Sequence, residues 1–221
     1  RDPALALVGG LAHQGRWSPH RRRSVGRSVE GTGSERLVVA LQNHDQVGNR
    51  ARGERLHDLV GVDRAAAAAA LVLLSPFSAL LFQGEEWAAS TPFPYMSDHS
   101  GDLGEAVRRG RRAEFAAFGW SEDQVTDPQD PATFHSAVLR WGEVAAAPHR
   151  EVLDWYRSLI ALRARHESLA PVLLPARHEV RVRDHVVAVQ RGSLTVLANL
   201  GASAVRDAPR QYLNRLSDLL F

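Results

Sequence analysis

Residues 43 to 50, Asn-His-Asp-Gln-Val-Gly-Asn-Arg, gather several side chains able to do chemistry. His44 and Asp45 are adjacent. An imidazole beside a carboxylate can move a proton, bind hydroxyls or hold a charge. Asn43 and Gln46 add amides on either side. The apolar run Leu37 to Leu41 comes just before them. In parallel βα folds, reactive groups sit where strands run out, because the packed interior leaves only that rim free. A purely structural reading of the same residues is also available. Asp45 would cap the next helix or pair with Arg50 or Arg52, and His44 would be a buried, satisfied histidine.

Other groups invite the same question. Glu85 and Glu86 follow a second apolar run and read as ion-pairing or hydrogen-bonding groups that fix the rim. Asp98-His99 has no third metal-type ligand at suitable spacing and reads as loop structure or a ligand contact. Trp87, Phe93, Tyr95, Phe118 and Trp120 could stack on a ligand or pin a long loop. Phe115 and Phe118 are three apart on a helix-like stretch and suit a core. Cysteine is absent, which excludes disulfides and thiolate chemistry.

These groups need elements to hold them. Residues 1 to 12 read as the end of a helix, and 13 to 36, rich in Gly, Ser, Pro and Arg, as a long loop. Leu37 to Leu41 is a strand apolar on both faces, as parallel strands are. Residues 54 to 60 form a short helix. Asp63 is expected to N-cap the helix "RAAAAAALVLLS", which Pro76 stops. "SALLFQGEEW" is the second strand, which completes a βαβ unit. From Ala88 to about Ala147 the pattern loosens into a long structured loop. "HREVLDWYRSLIALRARHESL" has an apolar stripe at Val152, Leu153, Tyr156, Leu159, Ile160 and Leu162, as an amphipathic helix requires. "HEVRVRDHVVAVQRGSLTVLANLG" then reads as antiparallel strands with turns at 183 to 185 and 191 to 193. The composition changes near residues 170 to 175, where a domain boundary is expected.

Bulk composition narrows the function. The 221 residues are 44% hydrophobic, enough for a sizeable core. Formal net charge is +2, and all 27 basic residues are arginine. Lysine-free usage of this kind reflects codon bias rather than a nucleic-acid surface. The one basic cluster, "HRRRSVGR" at 20 to 27, lacks interleaved aromatics. No run of eighteen apolar residues appears, and the first residues lack a signal-peptide layout. A soluble, cytoplasmic protein with no nucleic-acid or membrane partner is expected. Nothing here sets the oligomeric state.

The motif "LQNHDQVGNRA" resembles the fourth signature region of the α-amylase family of glycoside hydrolases, at the end of the seventh barrel strand. "LLFQGEEW" resembles the eighth strand. "GEEWAASTPFPYMSDH" followed by "VRRGRRAEFAAFGW" resembles the branch of that family that releases trehalose. Branching enzymes have Gly-Asn-Glu-Phe-Gly where this chain has Gly-Glu-Glu-Trp. The resemblance runs from about residue 10 to about residue 200. It implies an α/β chain: the C-terminal part of a (β/α)8 TIM barrel, strands seven and eight with their helices, over 1–170. A partial antiparallel β-sandwich domain would follow over 171–221.

The resemblance also implies a retaining hydrolase that cuts the α-1,4 bond beside the terminal trehalosyl unit of maltooligosyltrehalose. Related α-glucans are the wider substrate class. Asp45 matches the carboxylate that stabilises the transition state, and His44 the histidine that donates to hydroxyls of the same sugar. Asn43 and Gln46 lie in the motif as candidate substrate contacts, and Arg50 as a residue that holds the loop. No cofactor or metal is implied. The family's nucleophile Asp and acid Glu lie on strands four and five and have no counterpart here. The resemblance therefore implies a truncated enzyme, inactive alone. A branching or debranching enzyme, or a non-catalytic carbohydrate-binding fragment, remains as an alternative.

Overall fold

The computed structural model describes residues 2–201 apart from 12, 20 and 118. In chain order the elements open with α1 (Asp2–Gly9), β1 (Arg16–Ser18), β2 (Arg23–Val25), β3 (Val38–Ala40), α2 (His44–Gly48) and α3 (Leu56–Val60). Next come α4 (Val62–Leu73), β4 (Ser78–Leu80), α5 (Gly101–Ala116), α6 (Pro131–Ser136) and α7 (His149–Arg165). The series closes with β5 (Glu179–Arg183), β6 (Val186–Arg191) and β7 (Leu194–Asn199). The chain divides into two compact units, residues 1–41, 66–80 and 157–221, and residues 42–65 and 81–156.

In the first unit, β3 and β4 pair in parallel, Val38 opposite Ser78 and Ala40 opposite Leu80. The helix between them in sequence, α4, makes this the βαβ unit expected, but the second strand ends at Leu80, and Glu85–Trp87 form a 3-10 turn rather than its continuation. Around the pair, Phe77, Leu174 and Ala176 form a buried cluster with Val29, Leu37 and Val39 packed on it. Ser34 is fully buried and ties two segments together. Its hydroxyl donates to the Pro76 carbonyl at 2.8 Å and accepts from the Val172 amide at 2.9 Å.

The last turn of α4 is held by cations. Arg163 donates to the carbonyls of Leu73 (2.6 Å), Ser75 (2.7 Å) and Phe77 (2.5 Å). Arg191 donates to those of Leu74 (2.6 Å) and Ala170 (2.9 Å). Helix C-termini carry unpaired carbonyls and partial negative charge, so guanidinium groups satisfy both demands. Burial, with repulsion from Arg163, lowers Arg191 to about 10.

Strands β5, β6 and β7 form an antiparallel sheet in that order. Val187 faces Ala198 and Val189 faces Val196, so both pairs lie on the buried face. Asp184 (φ 53°) and Gly192 (φ 55°) supply the left-handed residues at the two hairpin turns.

Two expectations need correction here. Residues 13 to 36 are not one loop: β1 and β2 pair antiparallel, Trp17 opposite Ser24. These three-residue strands carry no alternating pattern, and Trp17 is 63% exposed, so sequence periodicity had nothing to report. Asp63 is not the N-cap of α4. The helix begins at Val62 after Gly61 at φ 87°, and Asp63 sits in its first turn. A carboxylate there still complements the helix dipole.

In the second unit, the stretch from 88 to 147 holds α5 and α6, where a long structured loop was expected with a helix-like stretch only around Phe115. Helix α5 buries only Gly104, Arg111 and Phe115, while Leu103 is 57% exposed and Val107 half-buried, so it shows no broad apolar stripe. Phe115 packs with Ala51 and Val125, with Trp120 against the cluster. Phe118 lies outside the described residues, as does the stretch after Gly201.

Candidate active site

Gln42 to Arg50 follow β3 in sequence and build a short, rigid turn. Asn43 is the N-cap of α2. Its side-chain oxygen accepts from the Asp45 amide at 2.8 Å, and its own amide donates to Gln46 Oε1 at 2.9 Å. This is a capping box, which satisfies two otherwise orphaned donors. Val47 is buried beneath the turn. The box therefore fixes the backbone under His44 and Asp45. It also engages one lone pair on each side-chain oxygen of Asn43 and Gln46, and leaves their amide NH2 groups to donate to another partner.

His44 and Asp45 face solvent, with side chains 71% and 68% exposed. His44 Nε2 lies 3.3 Å from Asp45 Oδ1. The structural alternatives do not describe this geometry. His44 is not a buried histidine, and the ion pairs run elsewhere: Arg50 Nε reaches Glu54 at 3.5 Å, and Arg52 Nε donates to the Gln124 carbonyl at 3.4 Å. An exposed carboxylate on a fixed backbone, with an imidazole beside it, is equipped to accept hydrogen bonds from hydroxyls.

Gln42, just before the turn, is buried and accepts from the Leu56 amide at 2.9 Å. It also neighbours Glu85 and tends to lower its pKa. Glu85 is 5% exposed, and Tyr156 donates its hydroxyl to Glu85 Oε1 at 3.1 Å. Burial is the main cause that pushes the Glu85 carboxyl up to about 7, against the hydrogen bond from Tyr156 and the lowering effect of Gln42. Burial also raises Tyr156, with the Glu85 charge adding to it. Glu85 thus belongs to the support under the turn rather than to the exposed surface.

Three further side chains escaped sequence reasoning. Arg55 is fully buried. It donates to the carbonyls of Thr91 at 2.6 Å and Gln83 at 2.7 Å, and lies 5.4 Å from the Phe82 ring centre. Burial lowers its pKa, opposed by Asp58, Glu86 and Glu85. Arg111 on α5 is buried against the end of α2. Glu143 accepts from Trp87 Nε1 (3.2 Å), the Ser90 amide (2.9 Å) and the Ser90 hydroxyl (2.6 Å). Burial opposes its charge, but the Ser90 and Trp87 donors outweigh that and hold it below the usual carboxylate range. No local pattern marks these residues, because each acts on partners distant in sequence.

The aromatic candidates divide. Trp87 is 3% exposed and stacks at a tilt on Trp141, ring centres 5.0 Å apart. Phe93 meets Phe82 edge-on at 5.1 Å. Tyr95 packs on Arg111, and Trp120 on Phe115. The most exposed aromatic surface of this unit belongs to Trp141 and Phe134, beside a hollow of about 260 Å³ that Gln83, Phe93 and Met96 also line. Asp98-His99 lies in a loop tied to the turn at 127–130: the Ser97 amide donates to Pro128 and the His99 amide to Gln129 Oε1.

No family model matches the chain. Among curated proteins it is 47% identical over 194 residues to malto-oligosyltrehalose trehalohydrolase of Arthrobacter ramosus, 86% of this chain and 33% of that protein. It is 40% identical over 203 residues to the protein of that name in Mycobacterium tuberculosis, 90% of this chain and 35% of that one. A solved crystal structure described as an alpha amylase of Salmonella typhimurium superposes with a TM-score of 0.78 at 37% identity, covering 90% of this chain and 35% of that one. The chain thus spans about a third of the length of the relatives it matches, in their C-terminal part.

Proposed function

We propose that this chain, a homologue of the C-terminal part of malto-oligosyltrehalose trehalohydrolases, contributes one wall of the active site of a retaining glycoside hydrolase. In this reading β3 and β4 are strands seven and eight of a (β/α)8 barrel spanning residues 1–170, and β5 to β7 open a β-domain over 171–221. The substrate is maltooligosyltrehalose, cut at the α-1,4 bond beside the terminal trehalosyl unit to release trehalose in the cytoplasm.

Such hydrolysis uses one carboxylate to attack the anomeric carbon and one carboxylic acid to protonate the leaving oxygen. Neither has a matching residue here. Asp45 is the third carboxylate. Its charge accepts hydrogen bonds from ring hydroxyls, and these strengthen as the sugar takes on oxocarbenium character. His44 donates to the same sugar. The NH2 groups of Asn43 and Gln46, left over from the capping box, are the further polar contacts. The chemistry calls for water and carboxyl groups and no cofactor. The observation that carries this reading is the solvent-facing His44–Asp45 pair on its fixed turn, in a chain so similar to named trehalohydrolases.

The test is a chimaera in which residues 1–201 replace the matching third of the Arthrobacter ramosus protein. Incubated with maltooligosyltrehalose, it should release trehalose. Asp45→Asn should lower the rate about a hundredfold or more with the fold intact. Branched or shortened glucans without trehalose would favour a branching or debranching enzyme. A folded chimaera that binds the oligosaccharide without turnover would favour a carbohydrate-binding role.

A further inference from the structure

We propose that Arg111 is a positioning residue for the Asp45 carboxylate and acts on it through Asn49. The inference rests on the reading that Asp45 supports catalysis. Helix α2 has only five residues, too few to hold its shape by its own hydrogen bonds. Its geometry must therefore be imposed from outside, and both ends show how.

At the front, Asn43 takes the Asp45 amide, as described. At the back, the Asn49 amide donates to the Asp45 carbonyl at 3.3 Å. Asn49 is in turn held by Arg111, whose Nη1 donates to Asn49 Oδ1 at 3.3 Å. Arg111 Nη2 donates to the Gly48 carbonyl at 2.5 Å. One planar guanidinium thus engages two consecutive residues at the end of α2, and it brings positive charge to the carbonyl end of the turn.

The arginine is itself immobilised. It is 9% exposed, with its guanidinium carbon 4.6 Å from the Phe115 ring centre and 5.2 Å from that of Tyr95. Contact with two rings restricts the motion of the fork. Glu114, one turn along α5, takes a further hydrogen bond from Nη1 at 3.1 Å but is 54% exposed.

The consequence falls on Asp45. Its backbone amide and carbonyl are both taken, while among the described residues its carboxylate is paired only with His44. The backbone of the turn therefore sets the point from which the carboxylate side chain projects. A tilt of the Gly48–Asn49 end moves it relative to a bound sugar. Displacements of about 1 Å can lower rates on the order of a hundredfold.

Arg111→Met keeps the stem and fits between the two rings, while removing both donors to α2. Arg111→Lys keeps the charge but has no fork to span two acceptors. In the 221-residue chain, amide exchange at Asn49 should rise roughly tenfold or more in Arg111→Met, less in Arg111→Lys, and not at all in Glu114→Gln. In the chimaera, Arg111→Met should lower kcat about tenfold to a hundredfold with KM nearly unchanged, because Asp45 acts in the transition state. Arg111→Lys should recover part of kcat. Were Arg111→Met to fail to fold, the Lys variant would carry the test through the same kcat loss. Unchanged Asn49 exchange, or kcat at the parent value while Asp45→Asn is inactive, would overturn this role for Arg111 alone. Full activity in Asp45→Asn would instead overturn the reading of Asp45.

Discussion

The Tyr156 hydroxyl donates to Glu85 Oε1 at 3.1 Å inside a pocket that leaves Glu85 only 5% exposed. The pairing places a carboxyl whose pKa burial raises from 4.5 to about 7 beside Gln42, the residue that precedes the Asn43 turn. The groups facing it are Tyr156 and Glu86, with Arg55 also interacting electrostatically.

The sign of the pH effect follows. A group with a raised folded pKa binds its proton more tightly in the folded state, so its stabilising contribution is complete below about pH 4.5 and is lost as pH rises through about 7. The full difference is about 3 kcal/mol. Glu85→Gln imitates the protonated form at every pH. Urea unfolding of the 221-residue chain at steps from pH 4.5 to 8 should therefore show the wild type losing stability relative to Glu85→Gln. Parallel profiles would mean that Glu85 does not titrate in this window.

Arg163→Met should destabilise the first unit by about 3 kcal/mol, because three carbonyls of residues 73 to 77 lose a charged donor at once. Arg163→Lys should recover part of the loss. The reading is the shift in urea midpoint at constant slope. A shift under about 0.5 kcal/mol would show that water replaces the guanidinium without penalty.

The 221-residue chain alone should release no trehalose from maltooligosyltrehalose. On the proposed reading, Asp45 is the one match among the three carboxyl groups the chemistry uses, and a supporting charge cannot attack the anomeric carbon or protonate the leaving oxygen. Chromatography of the reaction mixture is sufficient. Trehalose release abolished by Glu85→Gln or Glu86→Gln would force a new assignment of the catalytic residues.

Those elements whose stabilising contacts repeat along the chain were legible in the sequence. The βαβ unit showed as two apolar runs and an alanine-rich helix, and α7 showed as an apolar stripe. The hairpin turns showed through Asp184 and Gly192. The motif carrying His44 and Asp45 was legible too, although its capping box was not anticipated. What stayed hidden depends on distant partners. Helix α5 is aimed by Phe115 and the buried Arg111, and an arginine in a charged run looks solvated until its acceptors are known. Arg55 and Glu143 are hidden for the same reason. The β1–β2 hairpin is too short, and its Trp17 too exposed, for any period to register.

The parallel pairing of β3 with β4 also bears on how the protein behaves in concentrated solution. Each strand uses one edge on the other, and neither has a second strand neighbour among the described residues. Their outer backbone donors and acceptors lie beside Val38, 67% exposed, and Leu80, 42% exposed. Open, apolar strand edges act as templates for further strands, and no lysine or proline interrupts either one. Self-association should therefore begin at this pair, with a second molecule extending the ladder.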